Sequence, residues 1–368
     1  MMYSKLKSKI LPLSSTRVWR TYVGGREIER FEGLENPVDG ELPEEWIAST
    51  VKATNPGRED IVEGLSKLKL PGFEHITLKE VINSNPIAFL GKNHFNKFGN
   101  NTGVLVKIID SLSRLSIQVH PDKRYAKNVM NSDYGKTEAW YILGGRKVNG
   151  EDPYVLIGFK PGVSREQWRK LFEEQNILGM IDCLNKIYVK PGEAYFIAGG
   201  VPHAIGPGCF LIEIQEPTDY TMRVERKTYD GKLIPDYLCH QGVGFEKLFD
   251  CFNYDNLSLD DTLKRWRITP KKILESDQAV EWEIIGKDYT TLFSMNRLYI
   301  NGTYKSQDCD TFHSITVISG TGNIIYNGET IAIKQGDLLF VPVSVGKLTI
   351  VANEGRKLEL IRCYPPVV

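Results

Sequence analysis

The sequence has no excess of charge of either sign and little that marks an exported or membrane-bound protein. Its 368 residues contain 46 Lys and Arg against 46 Asp and Glu, so the formal net charge is zero. No strong field for nucleic acid or an anionic membrane is implied. The start, MMYSKLKSKILPLSSTRVW, lacks an apolar core with a small-residue cleavage site, and no run of about 18 apolar residues occurs. We expect a soluble cytoplasmic protein that binds neither nucleic acid nor membrane.

Cysteine is also scarce, and its spacing is irregular. No Cys-x-x-Cys pair and no short regular spacing occurs among Cys183, Cys209, Cys239, Cys251, Cys309 and Cys363. A disulfide framework and a thiolate zinc site are therefore both unexpected. A reducing compartment fits this pattern.

Short segments rich in β-branched and aromatic residues dominate the chain and are separated by Gly, Pro or Asn. They are TGVLVKIID, LSIQVH, TEAWYILGG, DPYVLIGF, NKIYVKPGEAYFIAGG and CFLIEIQE. This spacing predicts a mainly β protein, and the length indicates more than one domain. One helical insertion, at about 160–183, interrupts the strands, because Ser164 followed by Gln167 three residues later is typical of a helix N-terminus.

An internal repeat organises these strands. KPGEAYFIAGGVPHAI, residues 190–205, aligns with KQGDLLFVPVSVGKLTI, residues 334–350, with Gly192 opposite Gly336. KTEAWYILGG aligns in the same order with FHSITVISGTG. Two copies of one strand pair predict two related β-barrels. We therefore predict three parts: an N-terminal barrel with the helical insertion at 1–255, a helical linker at 256–279, and a C-terminal barrel at 280–368.

The two copies differ in their polar residues. In LSIQVHPDK, strand alternation puts Gln118 and His120 on one face, which a solvated strand edge would also explain. The repeat sets His203 opposite Lys347, and it sets Glu138 opposite a serine, Ser314. The second copy therefore lacks the polar set, and we expect it to bind no metal.

Together the four polar residues of the first copy predict a metal site. Gln118, His120, Glu138 and His203 offer an amide oxygen, two imidazoles and a carboxylate. Such a set can hold one divalent ion with an open position, zinc first, with manganese or iron as alternatives. Singly, His203 could instead be a satisfied loop histidine, and Glu138 could form a surface ion pair with Lys136.

The same segments carry a family resemblance. LSIQVHPDK, GKTEAWYIL and GVPHAIGPGCFLIEIQEPTDYTMR resemble the signature blocks of type I phosphomannose isomerases (mannose-6-phosphate isomerases), zinc enzymes of the cupin superfamily. The resemblance extends from NPIAFLGK into the second copy and so covers most of the chain. It implies two cupin (jelly-roll) barrels plus a helical region, one Zn²⁺ per chain on the four residues above, and the interconversion of mannose 6-phosphate and fructose 6-phosphate.

The resemblance also implies residues that contact the sugar phosphate. Lys136 and Glu213 are expected to line the sugar site, Arg223 follows TDYTM as a catalytic and substrate-binding residue, and Ser116 is a further substrate contact. After Arg223, VERKTYDGKLIPDYL departs from the family pattern, so the lysine that closes the site there and the phosphate contacts have no assigned equivalents.

The chemistry needs a base that moves a proton between carbon 2 and carbon 1, and charge that stabilises the enediolate. Lys136 is a candidate base, and Glu213 or Asp219 could serve instead. Arg223 suits the enediolate or the phosphate because it is always charged and can grip two oxygens. Its alternative role is a salt bridge to Asp219 or Glu225.

Other functions are compatible with a cupin. A cupin oxygenase would usually need a His-rich iron site, which Gln118 disfavours. A non-catalytic sugar-binding or regulatory cupin would not need Lys136, Glu213 and Arg223 together. A metalloenzyme acting on another sugar phosphate is a further alternative, and the sequence does not indicate an oligomeric state.

Overall fold

The computed structural model describes residue 3, residues 5–307 and residues 310–368. Cys309 lies outside this part of the chain. The five described cysteines are all buried, and none of them forms a disulfide bond within the described residues. Within the same residues, no helix is both long and apolar enough to cross a membrane. Strands outnumber helices, which confirms the prediction of a mainly β fold with helices between the strands.

The bounds of the elements are as follows. The strands are β1 (Leu11–Leu13), β2 (Arg17–Val18), β3 (Glu44–Ile47), β4 (Leu105–Asp110), β5 (Gln118–Val119), β6 (Glu138–Gly145), β7 (Tyr154–Phe159), β8 (Leu184–Tyr188), β9 (Ala194–Ile197), β10 (His203–Ile205), β11 (Cys209–Gln215), β12 (Met222–Arg223), β13 (Arg267–Ile268), β14 (Lys271–Glu275), β15 (Ala279–Ile285), β16 (Ser294–Ile300), β17 (Thr303–Lys305), β18 (His313–Ser319), β19 (Thr321–Tyr326), β20 (Glu329–Lys334), β21 (Leu338–Val341), β22 (Thr349–Ala352) and β23 (Leu358–Tyr364). The helices are α1 (Arg26–Glu32), α2 (Leu78–Ser84), α3 (Pro86–Leu90), α4 (Lys92–Phe98), α5 (Lys123–Met130), α6 (Arg165–Glu173), α7 (Ile177–Asp182), α8 (Asp236–Cys239), α9 (Phe245–Cys251) and α10 (Leu259–Trp266).

Four sheets contain these strands, and they form two matching pairs. The first large sheet has the order β13-β9-β6-β11-β4-β3-β2, and the second large sheet has the order β1-β21-β18-β23-β16-β15-β14. The first small sheet is β12-β5-β10-β7-β8, and the second small sheet is β17-β22-β19-β20. The two large sheets correspond strand for strand, with β9 matching β21 and β6 matching β18. The internal repeat is therefore confirmed at the level of sheet order.

The large sheets exchange strands across the chain. β1 pairs with β21, so that Leu11 lies opposite Phe340, and it forms an edge of the second large sheet. β13 pairs with β9 at the edge of the first large sheet. The predicted helical linker at 256–279 contains α10 but also β13 and β14, so it is not purely helical.

The ladder register corrects one alignment made from the sequence. Glu138 pairs with Ile197 on β9, and His313 pairs with Val341 on β21. Ile197 and Val341 each lie five residues after the aligned glycine of their copy. His313, not Ser314, therefore occupies the position of Glu138. The error is a slip of one residue, which moves a side chain to the opposite face of a strand.

The helical insertion is confirmed as α6 and α7. The Ser164 side chain accepts a hydrogen bond from the backbone N–H of Gln167 at 3.1 Å, as expected of an N-cap. Trp168 and Phe172 turn inward and are buried with residues of β7 and α9. The insertion and α9 thus share one apolar core with the first small sheet.

Candidate active site

The first large and first small sheets bring the four predicted metal ligands together. β10 pairs with β5 so that His203 lies directly opposite Gln118. His120 follows β5 by one residue, and Glu138 is the first residue of β6 in the large sheet. His120, Glu138 and His203 are fully buried, and Gln118 is half-buried.

The distances within this cluster fit a tetrahedral ion. Nε2 of His120 lies 3.2 Å from Nε2 of His203 and 3.2 Å from Oε2 of Glu138. Nε2 of His203 lies 3.4 Å from Oε1 of Glu138. Ligand atoms on a zinc ion, with bonds of about 2.0 to 2.1 Å, are about 3.3 to 3.5 Å apart. The residues present therefore fit a zinc-sized ion.

The protonation of the two imidazoles also favours a cation. Nδ1 of His203 donates to the carbonyl of Val201 at 2.9 Å, so its Nε2 lone pair faces the cluster. Burial lowers the pKa of His203, and burial followed by the charge of Lys136 lowers the pKa of His120 to about 3. Both rings are therefore neutral near pH 7.

Glu138 adds an ionised carboxylate to the two neutral imidazoles of the cluster. Burial alone would raise the pKa of Glu138, but Lys136 and the two histidines together hold it well below its usual value. Its buried Oε1 has no hydrogen-bond partner among the described residues. Within that part of the chain, the His120, Glu138 and His203 group is the one cluster of potential metal ligands whose ligand atoms lie within 4.8 Å of one another.

Lys136 extends into the same cluster. Its Nζ lies 2.7 Å from Nε2 of His120 and also hydrogen-bonds to the Glu138 carboxylate. Lys136 is 3% exposed. The pair of Lys136 and Glu138 exists, but the interpretation as a surface ion pair is wrong. The solvated-edge interpretation of His120 and the loop interpretation of His203 are wrong as well, because both lie buried in the cluster.

All the other predicted site residues line one cavity beside the cluster. These are Ser116, Lys136, Glu213, Asp219 and Arg223, and Gln118 lines it too. The sequence-based prediction therefore brought together residues that the fold also brings together.

Glu213 lines this cavity and forms one ion pair and one hydrogen bond. Its Oε1 lies 3.1 Å from Nζ of Lys107, and its Oε2 accepts from the indole N–H of Trp140 at 3.1 Å. Burial, and then the negative charge of Glu138, raise the pKa of Glu213. A carboxyl group whose pKa lies closer to neutrality is better suited to moving protons.

Asp219 differs from Glu213 in its environment. Arg20 contacts both carboxylate oxygens of Asp219, at 2.9 and 3.0 Å, and the backbone N–H of Thr54 donates to it at 2.9 Å. Although burial opposes ionisation, these partners and the charge of Lys107 lower the pKa of Asp219 to about 2. Such a carboxylate is a weak base near pH 7.

Arg223 has no carboxylate within ion-pair distance in the part of the chain that the structure describes. Its Nη1 donates to the carbonyls of Thr221 and Leu238, at 3.2 and 3.4 Å. Asp219 is engaged by Arg20, and Glu225 pairs with Arg114 at 2.6 Å. The salt-bridge interpretation of Arg223 is therefore wrong.

The sequence did not single out four polar residues of this cavity, namely Arg20, Tyr22, Glu44 and Lys107. Arg20 Nε lies 2.9 Å from the Glu44 carboxylate, which also accepts from the Tyr22 hydroxyl at 2.7 Å. A charged residue inside an apolar strand, Lys107 in TGVLVKIID, was the available signal. Arg20 and Tyr22 come from a short N-terminal segment with no periodic pattern.

Comparison with protein families agrees with this geometry. The model "Phosphomannose isomerase type I, catalytic domain" matches residues 27–139, which include Gln118, His120 and Glu138. The model "Mannose-6-phosphate isomerase, cupin domain" matches residues 287–365. The two matches place the chain among isomerases with a cupin fold.

Individual relatives agree as well. "Probable mannose-6-phosphate isomerase GmuF" of Bacillus subtilis (strain 168) is 29% identical over 263 residues, which are 70% of this chain and 76% of that protein. The mannose-6-phosphate isomerase of Streptococcus mutans is 28% identical over 282 residues, 74% of this chain and 81% of that protein. The chain belongs to the type I phosphomannose isomerase family.

A solved structure shows the same fold. The crystal structure of the mannose 6-phosphate isomerase from Bacillus subtilis superposes with a TM-score of 0.73 and 23% identity, covering 96% of this chain and 99% of that one.

Proposed function

We propose that the protein is a metal-dependent aldose-ketose isomerase that interconverts mannose 6-phosphate and fructose 6-phosphate. The observation that carries this proposal is the cavity in which Lys136 contacts both a candidate metal ligand set and the space lined by Glu213 and Arg223. The relatives named above carry the same activity in their names. We further propose that each matching pair of sheets forms a cupin barrel, divided along the chain near residues 255 and 280 except at the edge strands, since β13 belongs to the first large sheet and β1 and β14 belong to the second.

We propose that one Zn²⁺ per chain is held by Gln118, His120, Glu138 and His203. Gln118 points its amide nitrogen at His203 Nε2, 3.3 Å away, and half a turn of the amide brings its oxygen to that place. When bound, the ion supplies Lewis-acid polarisation of the sugar carbonyl. The buried, partnerless Oε1 of Glu138 supports this assignment.

The proton transfer falls to Lys136 or Glu213 in this proposal. Both line the cavity, Lys136 beside the ligand set and Glu213 on the opposite strand of the same sheet. Asp219 is assigned a positioning role, because its carboxylate is fully used in holding Arg20 and the Thr54 backbone. Lys136 and Glu213 therefore remain as the two candidate bases.

Arg223 stabilises the charge that develops on the substrate. It is held by two backbone carbonyls and has no competing carboxylate among the described residues, so its positive charge is available to a ligand. Burial lowers its pKa, although a guanidinium stays protonated near pH 7. This half-buried cation, which has no carboxylate partner among the described residues, is therefore the group that an anionic enediolate or a phosphate would neutralise.

Two of the three alternative functions are not favoured by the site. A non-catalytic sugar-binding cupin gives no reason for an ammonium group buried against the ligand set. An oxygenase of the His-rich type is not matched by a cluster that contains Glu138 and Gln118.

The test is an isomerase assay with mannose 6-phosphate, coupled to detection of fructose 6-phosphate, together with metal analysis of the purified protein. We expect turnover that a chelator removes and that Zn²⁺ restores. Absence of turnover in protein that contains a full complement of metal would overturn the assigned reaction, and other aldose phosphates would then be assayed.

A further inference from the structure

The second pair of sheets also contains a polar cavity. It is lined by Glu281 of β15, Tyr304 and Lys305 of β17, His313 of β18 and Arg362 of β23. Glu281, His313 and Arg362 are at most 4% exposed, whereas Lys305 is exposed and lies on the solvent side. The second copy, which was expected to bind no metal, therefore still has a buried polar cavity.

This cavity is the structural counterpart of the active-site cavity. Trp140 pairs with Glu213 in the first large sheet, and Ile315 pairs with Arg362 in the second. Since His313 corresponds to Glu138, Ile315 corresponds to Trp140, and so Arg362 stands where Glu213 stands.

A second ladder gives the same correspondence on the other side. Glu44 pairs with Ile109 on β4, and Glu281 pairs with Leu298 on β16. Ile109 pairs in turn with a residue two before Glu213, and Leu298 with one two before Arg362. Glu281 therefore matches Glu44. The second cavity therefore keeps a carboxylate at the position of Glu44. At the position of Glu213 it has the guanidinium of Arg362 instead.

The acceptors of the second cavity are already used. The Glu281 carboxylate accepts from Asn296 at 2.6 Å and from the hydroxyl of Tyr304 at 3.0 Å, and it forms an ion pair with Arg362. Nη2 of Arg362 also donates to the Tyr304 hydroxyl at 2.9 Å. What remains for a ligand is mainly donor groups.

Two buried groups of this cavity are incompletely satisfied. Nε of Arg362 has no hydrogen-bond partner in the described part of the chain, and the same holds for both ring nitrogens of His313 at normal geometry, although the backbone of Thr311 interacts with that ring. Buried polar groups are satisfied in most proteins, so unsatisfied ones at a cavity wall are available to a ligand. No second metal-ligand cluster occurs among the described residues, so a metal ion is not indicated.

The charges limit the kind of ligand. Arg362 and Lys305 carry one positive charge each, Glu281 carries one negative charge, and burial keeps His313 neutral by lowering its pKa to about 3. The residues that line the cavity therefore have a net charge of +1, which a ligand with one negative charge would neutralise. A phosphate monoester, with nearly two negative charges at pH 7, would leave excess charge in a buried site, which is costly.

We propose that this cavity binds a small hydroxy-carboxylate, with the carboxylate between Lys305 and Arg362 and the hydroxyl groups toward His313. A carboxylate matches the guanidinium geometry and carries a single charge. This second site is separate from the proposed isomerase site and does not depend on the identity of its substrate.

The experiment is calorimetric titration of the metal-loaded full chain with gluconate, and with sorbitol and inorganic phosphate as comparison probes. We expect one gluconate per chain, with sorbitol at least tenfold weaker because it lacks the charge. Lys305→Gln should weaken gluconate binding at least fivefold, and His313→Phe at least tenfold. Lys334→Gln, an exposed lysine on β20 outside the cavity, is the matched control and should change affinity by less than twofold.

Two further variants and an activity assay separate this site from the first cavity. Gluconate binding should persist in Arg223→Ala, and turnover of mannose 6-phosphate should stay within twofold of the parent in Lys305→Gln. Lys305 is exposed, so this variant remains informative if His313→Phe does not fold. Loss of gluconate binding in Arg223→Ala, or affinity unaffected by Lys305→Gln, would overturn the proposal. Tighter binding of phosphate than of gluconate, with the same sensitivity to Lys305→Gln, would overturn the assignment to a carboxylate.

Discussion

Nζ of Lys136 lies 2.7 Å from Nε2 of His120, and this contact joins a candidate base to a candidate metal ligand. The two residues reach each other from different sheets, because His120 follows β5 and Lys136 precedes β6. Proton transfer and metal binding are therefore expected to respond together to changes here.

The first prediction concerns the base. Lys136→Met should lower kcat by about a hundredfold or more, since positioned acid-base groups typically contribute that much. Glu213→Gln is the comparison, and the measurement is kcat together with exchange of the substrate's carbon-bound hydrogen in deuterated water. If Glu213→Gln abolishes exchange while Lys136→Met retains it, Glu213 is the base instead.

The second prediction concerns the metal. His120→Ala and His203→Ala should each reduce bound metal from about one ion per chain to a small fraction, measured by elemental analysis, because each removes one of few ligands. His75→Ala is the control, since His75 is an exposed histidine outside the cluster. Full metal content in both cluster variants would show that the ion is held elsewhere.

The third prediction concerns Arg223. Arg223→Ala should lower kcat by about a hundred- to a thousandfold with metal content intact, as removal of one preorganised electrostatic donor does. Arg223→Lys keeps the charge but loses the planar fork, and we expect it to recover only part of the loss. A raised KM with unchanged kcat would instead mean that Arg223 holds the phosphate equally in substrate and transition state.

The fourth prediction concerns stability and pH. Glu45 is 1% exposed, and burial raises its pKa to about 8 despite hydrogen bonds from Ser15 at 2.6 Å and from the Thr16 backbone at 2.5 Å. Because the folded-state pKa lies above the unfolded value, the folded state favours the protonated carboxyl. The stabilisation is complete below the unfolded pKa and is lost as pH rises toward 8.

Urea unfolding between pH 5 and pH 8.5 measures this effect. We expect the free energy of unfolding to fall by a few kcal/mol over that range from Glu45 alone, about 1.4 kcal/mol for each pH unit between the two pKa values. Glu45→Gln should remove most of this slope, and Glu41→Gln, at an exposed glutamate, should not. An unchanged slope in Glu45→Gln would show that Glu45 is ionised in the folded state.

The sequence predicted the metal cluster because its residues lie in strands with clear alternation and a repeat to compare them with. It did not predict Arg20 or Glu44, which reach the cavity through pairings over long sequence distances that no local pattern encodes. It also misaligned His313 by one residue. From the sequence alone, His313 and Ser314 are equally plausible counterparts of Glu138. Only the pairing of β18 with β21 shows which of the two side chains lies on the same face as Glu138.

The pairing of β1 with β21 affects how the chain can fold. Leu11–Leu13 is synthesised before every other strand of the second large sheet, yet it pairs with Leu338–Val341. During synthesis β1 must wait for a partner more than 300 residues away, and such distant pairings form slowly. Between the folding of the second large sheet and the docking of β1, the outer side of β21 is an unpaired sheet edge, the kind of surface that promotes association between chains. A fragment containing only residues 280–368 would keep that edge uncovered permanently.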